Sequence, residues 1–272
     1  MRLFVFGLGY TGKAITAAFG EDGWTSVGST GSEGTVTFDD DDGVATALAQ
    51  ATHVISTVAP WEGDPVLTRY GSLLEDHWLG YISSTGVYGD TAGAVVDESS
   101  PVQPRTDRAR RRISAEEMTR VWCNERHVRR VVLRVPGIYG PERLPLERLR
   151  HCEPVVRERE AGINNRIHVD DLVEACACAI TNSEARGVYN VTDGRPLSST
   201  TFINMVAKVA GLPAPPQVSM EEAQLTFSPE RLSFLNESRR VSNERMLKHL
   251  GVVLKYADVE AGIRASLRVI PA

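Results

Sequence analysis

The chemistry this chain can perform starts in its first dozen residues, MRLFVFGLGYTG. Gly7, Gly9 and Gly12 stand in Gly-x-Gly-x-x-Gly spacing, directly after the apolar run Leu3 to Phe6. For a bound dinucleotide each glycine has a physical role. The first permits a tight strand-to-helix turn, the second lets the backbone approach a pyrophosphate, and the third lets helix and strand pack closely. The helix that follows would turn unpaired N–H groups and a partial positive charge toward the phosphates. A second set of chemical groups, Ser83, Ser84 and Thr85, lies in YISSTGVYGD. Hydroxyls at the carboxyl end of a strand in an open parallel sheet face the ligand crevice. Ser84 is the candidate for a ligand contact; capping of the local loop is the alternative use of these hydroxyls.

Positioning these groups requires alternating strands and helices, and the sequence supplies them. Apolar or β-rich runs at Leu3–Phe6, Trp24–Val27, Thr35–Phe38, His53–Val58, Leu79–Ser83, Arg130–Val135 and Val188–Val191 read as strands, with Arg166–Val169 as a short further one. Helices are expected over 13–19, 44–51, 66–76, 106–126, 170–181, 200–210 and 243–250. This alternation predicts an α/β protein with a doubly wound parallel sheet and right-handed crossovers. The acidic run Asp39 to Asp42 reads as a solvated loop and helix start, although Asp39 or Asp40 could also reach an adenine.

The end of the second strand is where a carboxylate usually bonds the adenosine ribose of NAD. Gly28, Ser29, Thr30, Gly31 and Ser32 stand there, with no acid before Glu33. A carboxylate would repel a 2′-phosphate and small hydroxyls would not. The tilt is toward NADP, with NAD the alternative, since no arginine stands beside the stretch.

The 272 residues suffice for one large core or a domain with a lobe built on it. The net charge of −5 gives no basic footprint for nucleic acid, and Glu116 and Glu117 flank the arginines at 108 and 110–112. No run of eighteen apolar residues suggests a membrane span, and the immediate first strand leaves no room for a signal peptide. Cys123, Cys152, Cys176 and Cys178 lack metal-ligand spacing. Reduced, mostly buried thiols in a cytoplasmic protein are expected, with no metal.

Six stretches, GLGYTG, YISSTGVYGD, VDESSPVQP, LRVPGIYGP, RIHVDDLVEA and GVYNVTDGRPLSS, together resemble the extended short-chain dehydrogenase/reductase superfamily of NAD(P)-dependent epimerase/dehydratase-like proteins. The Gly-x-Gly-x-x-Gly form, in place of the usual Thr-Gly-x-x-Gly-x-x-Gly, resembles an atypical branch of that superfamily. The resemblance implies a Rossmann domain over 1–140 plus 166–194 and a smaller, discontinuous substrate lobe over 141–165 plus 195–272. It implies that Gly7, Gly9, Tyr10, Thr11 and Gly12 face the pyrophosphate, and that Ala59 and Pro60 line the adenosine and ribose. Ser84 would bind the reacting group, and Pro136 to Ile138 would border the nicotinamide. A homodimer through long helices and a nucleotide-sugar-like substrate are implied in the same way.

One departure bears on chemistry. Active members carry a Tyr-x-x-x-Lys pair, in which lysine helps lower a tyrosine pKa normally near 10. The matching positions here are Arg108 and Arg112; no tyrosine occurs between Tyr88 and Tyr139, and no lysine between Lys13 and Lys208. Arginine stays protonated and is a poor general base, although Arg112 could bond ribose hydroxyls or orient an anionic substrate. The alternative for both arginines is that they are solvated helix residues. Tyr88, Tyr139, His168, Asp97 and Glu98 remain as proton-transfer candidates. His168 with Asp170 and Asp171 reads first as a core histidine beside helix-capping carboxylates. An NAD(P)-dependent oxidoreductase or epimerase acting on a small polar substrate is the preferred expectation, with Ser84, Arg112 and Tyr139 at its centre. The alternative is an NADP(H)-binding sensor or regulatory protein.

Overall fold

A computed structural model describes residues 2–21, 25–30 and 36–268. Seven parallel strands form the central sheet: β1 (Arg2–Phe6), β2 (Thr25–Thr30), β3 (Val36–Thr37), β4 (His53–Ser56), β5 (Trp78–Ser84), β6 (Arg130–Val135) and β7 (Gly187–Asn190). Their order is β7-β6-β5-β4-β1-β2-β3. The order reverses beside β1, so a crevice opens at the carboxyl ends of β1 and β4, where the glycine turn lies.

Strand β1 shows how the sheet is buried on both faces. Leu3 and Val5 enter one core with Ile15 and Phe19 of α1 (Tyr10–Glu21), and Phe4 and Phe6 enter the other with Val44, Leu48, Val66 and Tyr70. Helices α2 (Asp41–Leu48), α3 (Pro65–Tyr70) and α4 (Asp107–Glu125) follow in the first half, and α5 (Val169–Thr181) brings Leu172, Ala175, Cys176 and Ala179 to the Leu3 face. Asp40 caps α2, Asp64 caps α3 and Thr106 caps α4, each accepting from a backbone N–H of the first turn.

Several boundaries differ from expectation. Helix α1 starts at Tyr10 rather than Lys13, with Gly9 O accepting from Lys13 N. Strand β2 runs to Thr30, so Ser29 and Thr30 lie in the strand, Ser29 paired with Phe6 and Val36, and not in a loop after it. Trp24 and Thr35, read as strand starts, and Gly31, Ser32 and Glu33, on which part of the cofactor reading rested, lie outside the described residues. Strand β4 ends at Ser56, short of Val58; Thr57 N still donates to Phe6 O, and its hydroxyl donates to Gly7 O. The last turn of the expected 243–250 helix, Met246–Leu250, is wound as a π-helix ending at left-handed Gly251.

After β6 the chain makes a second, smaller core. Tyr139, Leu144, Leu149 and Val155 pack with Phe202, Ile203 and Val206 of α6 (Ser199–Ala210) and with Val259 and Ile263 of α9 (Val259–Arg268). Two short helices, α7 (Met220–Thr226) and α8 (Pro229–Leu235), lie between them in sequence. The segment around 240–252 departs from a simple lobe boundary. Arg240–Val241 pairs with Val95–Val96, and Met246, Leu250 and Val252 return to the core of the sheet.

Candidate functional site: a glycine turn and an arginine-lined cleft

The glycine turn is built as a dinucleotide needs it. Gly7 takes φ +90, a left-handed value that costs a side-chain-bearing residue. A Cβ on Gly12 would lie 1.9 Å from Gly7 O, so helix and turn meet backbone to backbone. A Cβ on Gly9 would meet nothing within 4 Å, leaving open space at the helix N-terminus. That space beside the N–H groups of the first turn of α1 fits a pyrophosphate. Thr57, which the sequence reading did not single out, closes the turn by donating its hydroxyl to Gly7 O at 2.7 Å. Ala59 is exposed and Pro60 buried at the same sheet edge.

Beyond β5 and β6 opens a cleft of about 340 Å³. Ser84, Thr85, Pro136 and Gly137 form its sheet side, while Asn164, Asn165, Ser199, Thr200 and Ile203 line it from the lobe. Ser84 caps the short turn Thr85–Tyr88 by accepting from Gly86 N at 3.1 Å. That bond uses an oxygen lone pair and leaves the hydroxyl hydrogen free to donate. Capping and cleft lining therefore coexist in one side chain.

Five arginines line the cleft, Arg108, Arg148, Arg166, Arg231 and Arg239. Four are held by protein oxygens. Arg148 pairs with Glu153 at 3.0 Å, Arg239 with Glu237 at 2.7 Å, Arg231 donates to Pro154 O, and Arg166 donates to Leu197 O and Ser198 O. Arg108 alone among them has no hydrogen-bond or ion-pair partner among the described residues; its guanidinium lies 3.6 Å from the ring centroid of Phe234 on α8. Burial pulls Arg108 below the usual arginine range, and pulls Arg166 and Arg231 down to about 10. Partly desolvated guanidinium groups lining the cleft are chemically suited to hold an anion, although Arg148, Arg231 and Arg239 already have carboxylate partners. Of the two uses left open for Arg108, this places it half-buried on the cleft wall and not as a fully solvated helix residue.

Other candidates go elsewhere. Side chains alternate along β5, so Ser83 points away from the cleft and donates to Glu116 of α4; it is 4% exposed and leaves the cofactor set. Tyr88 is sealed in the same network, accepting from Arg134 at 2.9 Å and donating to Asn190 at 2.8 Å. Tyr139 is 2% exposed among the lobe's apolar residues, edge-on to His168 and Phe202. Burial raises its pKa beyond the ordinary tyrosine range, and its hydroxyl lies against Gly262 and not among the residues lining the cleft. His168 is buried, bonded to Ser266 and to Asp170 N, and burial pulls it down to about 4. It is itself the cap of α5, while Asp171 accepts from the backbone of Lys255 and Tyr256. Asp97 binds its own turn through Ser99 and Ser100, and Glu98 accepts from Asn190 N. Ile138 packs against the sheet core, and Pro136 borders the cleft.

Arg112 is engaged structurally. Its Nη1 donates to Ile82 O at 2.7 Å and Tyr81 Oη at 3.1 Å, with Val58 O at 3.4 Å, joining the carboxyl ends of β4 and β5. Cys123 and Cys176 are buried, Cys152 is exposed and Cys178 intermediate. No cluster of three potential metal ligands occurs among the described residues. No helix among them is long and apolar enough to cross a membrane.

Behind Arg166 lies Asp193, 3% exposed and pushed up to about 7, chiefly by burial. Its folded pKa exceeds the unfolded value near 3.9, so the folded state holds the proton more tightly. Its contribution to stability is full below about pH 4 and is lost as pH rises toward 7. Thermal melts from pH 5 to 8 are expected to show falling stability, with Asp193→Asn flattening that slope. An equal slope in both proteins would contradict the assignment.

With this geometry in place, comparison with known proteins decides the family. Residues 76–192 match the profile of the NAD dependent epimerase/dehydratase family. A solved structure, a functionally unknown conserved protein from Silicibacter pomeroyi, is 32% identical, covers 98% of both chains and superposes with a TM-score of 0.85. The chain belongs to the NAD dependent epimerase/dehydratase family. The family match begins after the glycine turn, so that turn stands on its own geometry.

Two more distant structures share the fold. The UDP-glucose 4-epimerase of Thermus thermophilus, in complex with NAD, is 24% identical over 98% of both chains, with a TM-score of 0.76. The human epimerase family protein SDR39U1, with NADPH, is 18% identical over 99% of this chain and all of its own, with a TM-score of 0.77. Among curated relatives, dTDP-D-glucose 4,6-dehydratase of Mus musculus is 27% identical over 121 residues, 41% of this chain. The match spans about a third of that relative's length (34%). One of these neighbours of the same fold was solved with NAD and the other with NADPH.

Proposed function

We propose that the chain binds a nicotinamide dinucleotide along the glycine turn and uses it as an oxidoreductase or epimerase on a small anionic substrate held in the arginine-lined cleft. The observation that carries this reading is the Arg108 guanidinium, with no hydrogen-bond or ion-pair partner among the described residues, in the same cleft as Ser84 at the carboxyl edge of the sheet. Bound there, the cofactor would supply a hydride acceptor or donor. The remaining work falls to the chain's own residues. Gly9 leaves room for the pyrophosphate, and Arg112 fixes the two strand ends between which the nicotinamide ribose would lie. Ser84 offers its free O–H to the oxygen of the reacting group, and Arg108 holds the substrate's negative charge. NADP is favoured over NAD because no carboxylate occurs from Gly28 to Ser32.

A second reading, a cofactor-binding sensor with little turnover, is favoured by one observation. The residues lining the cleft include no Tyr, His, Lys, Asp, Glu or Cys, so none titrates near neutrality. The two readings separate in one assay. An enzyme oxidises NADPH with some carboxylate- or phosphate-bearing carbonyl compound, and Ser84→Ala lowers kcat/KM by about 100-fold or more. In the same assay Arg108→Ala raises KM for the anionic substrate and leaves a neutral analogue unchanged. Tight NADPH binding without turnover across the panel would establish the sensor instead.

A further inference from the structure

We propose that Arg143, held against Tyr10 of the glycine turn, is a clamp on the pyrophosphate of the bound dinucleotide; this rests on the cofactor reading above. Residues Gly7 to Gly12 carry no formal charge, so the turn offers a diphosphate only N–H groups and a helix dipole. A full positive charge is held next to it by a different part of the chain. Tyr10, the first residue of α1, runs its ring to the turn after β6 and donates its hydroxyl to Pro141 O at 2.9 Å. Gly140 makes that approach possible, since a Cβ there would lie 2.5 Å from the Tyr10 hydroxyl. Arg143 then sets its guanidinium 4.7 Å from the centroid of the same ring.

The Arg143 guanidinium has no hydrogen-bond or ion-pair partner among the described residues; its backbone N–H donates to Gly140 O at 3.1 Å and closes the turn that carries it. Contact with the Tyr10 ring holds the guanidinium there while leaving its N–H donors uncommitted, so they can bind phosphate oxygens. Tyr10 is the shelf. It directly follows Gly9, whose open side is where the pyrophosphate fits, so the arginine is presented next to that space. Arg143 also lines a hollow with Arg148 and Arg166, which places it between the glycine turn and the substrate cleft.

The test titrates NADH and NADPH separately into intact wild-type protein, Arg143→Ala and Arg143→Lys, at low and at high salt. Arg143 is exposed and Arg143→Ala should leave the melting temperature unchanged. The expected result is a loss of about ten-fold or more in affinity, equal for NADH and NADPH because both carry the pyrophosphate, with a weaker salt dependence. Arg143→Lys should recover part of the loss. Unchanged affinity in Arg143→Ala, or a loss confined to NADPH (the mark of 2′-phosphate recognition), would overturn the clamp while leaving the cofactor reading intact. A wild-type protein that binds neither dinucleotide would overturn both.

Discussion

Glu116→Ala is expected to cost about 3–5 kcal/mol of folding stability, the range for removing one partner of a buried ion pair. Glu116 and Arg134 meet at 2.7 Å with side chains 9% and 7% exposed. The guanidinium also reaches Tyr88, and Tyr88 reaches Asn190, so one network ties α4 to the loop after β5 and to β7. Ser83 adds a further bond to Glu116. Alanine at 116 would leave Arg134 buried with its counter-charge gone, which costs more than the pair contributes net. Urea denaturation monitored by circular dichroism measures the loss. Replacing both residues, as Glu116→Met with Arg134→Met, should recover a large part of it, because the uncompensated charge is then removed. A Glu116→Ala protein as stable as wild type would show that the network is not closed in solution.

The second large effect separates two glycines that look alike in sequence. Gly9→Ala adds a methyl where the structure has open space, so the fold should melt at the wild-type temperature while dinucleotide affinity falls by at least about ten-fold. Gly12→Ala places its methyl 1.9 Å from Gly7 O, where backbone must move, and should lose both stability and cofactor binding. Melting and titration of the two variants side by side read this directly. If Gly9→Ala bound cofactor as wild type does, the open space beside Gly9 would not be the pyrophosphate site.

Much of the architecture was legible because its signals are local. The apolar run of β1 and the glycine spacing placed the first strand and turn, and the β-rich run Arg130–Val135 gave β6 to the residue. That no tyrosine is followed four residues later by a lysine is likewise read from positions along the chain. What sequence could not carry was direction. Ser83 and Ser84 are adjacent hydroxyls, and only the pleat of β5 decides that one faces α4 and the other the cleft. Tyr139 read as a candidate because it follows a strand of the sheet, but α6 and α9 cover it with a second core assembled from residues much later in the chain. Arg108 was weighed as a solvated residue because its partner across the cleft, Phe234, is far away in the chain. Thr57 gave no signal, since its role depends on meeting the Gly7 carbonyl from a neighbouring strand.

Each proposal above depends on a nicotinamide dinucleotide occupying the glycine turn. Calorimetric titration of NADPH, and then NADH, into the intact protein tests this most directly. The expected result is saturable one-to-one binding, tighter for NADPH, and weakened in Gly9→Ala without loss of fold. Titrations that show no binding of either nucleotide to folded wild-type protein would contradict the account.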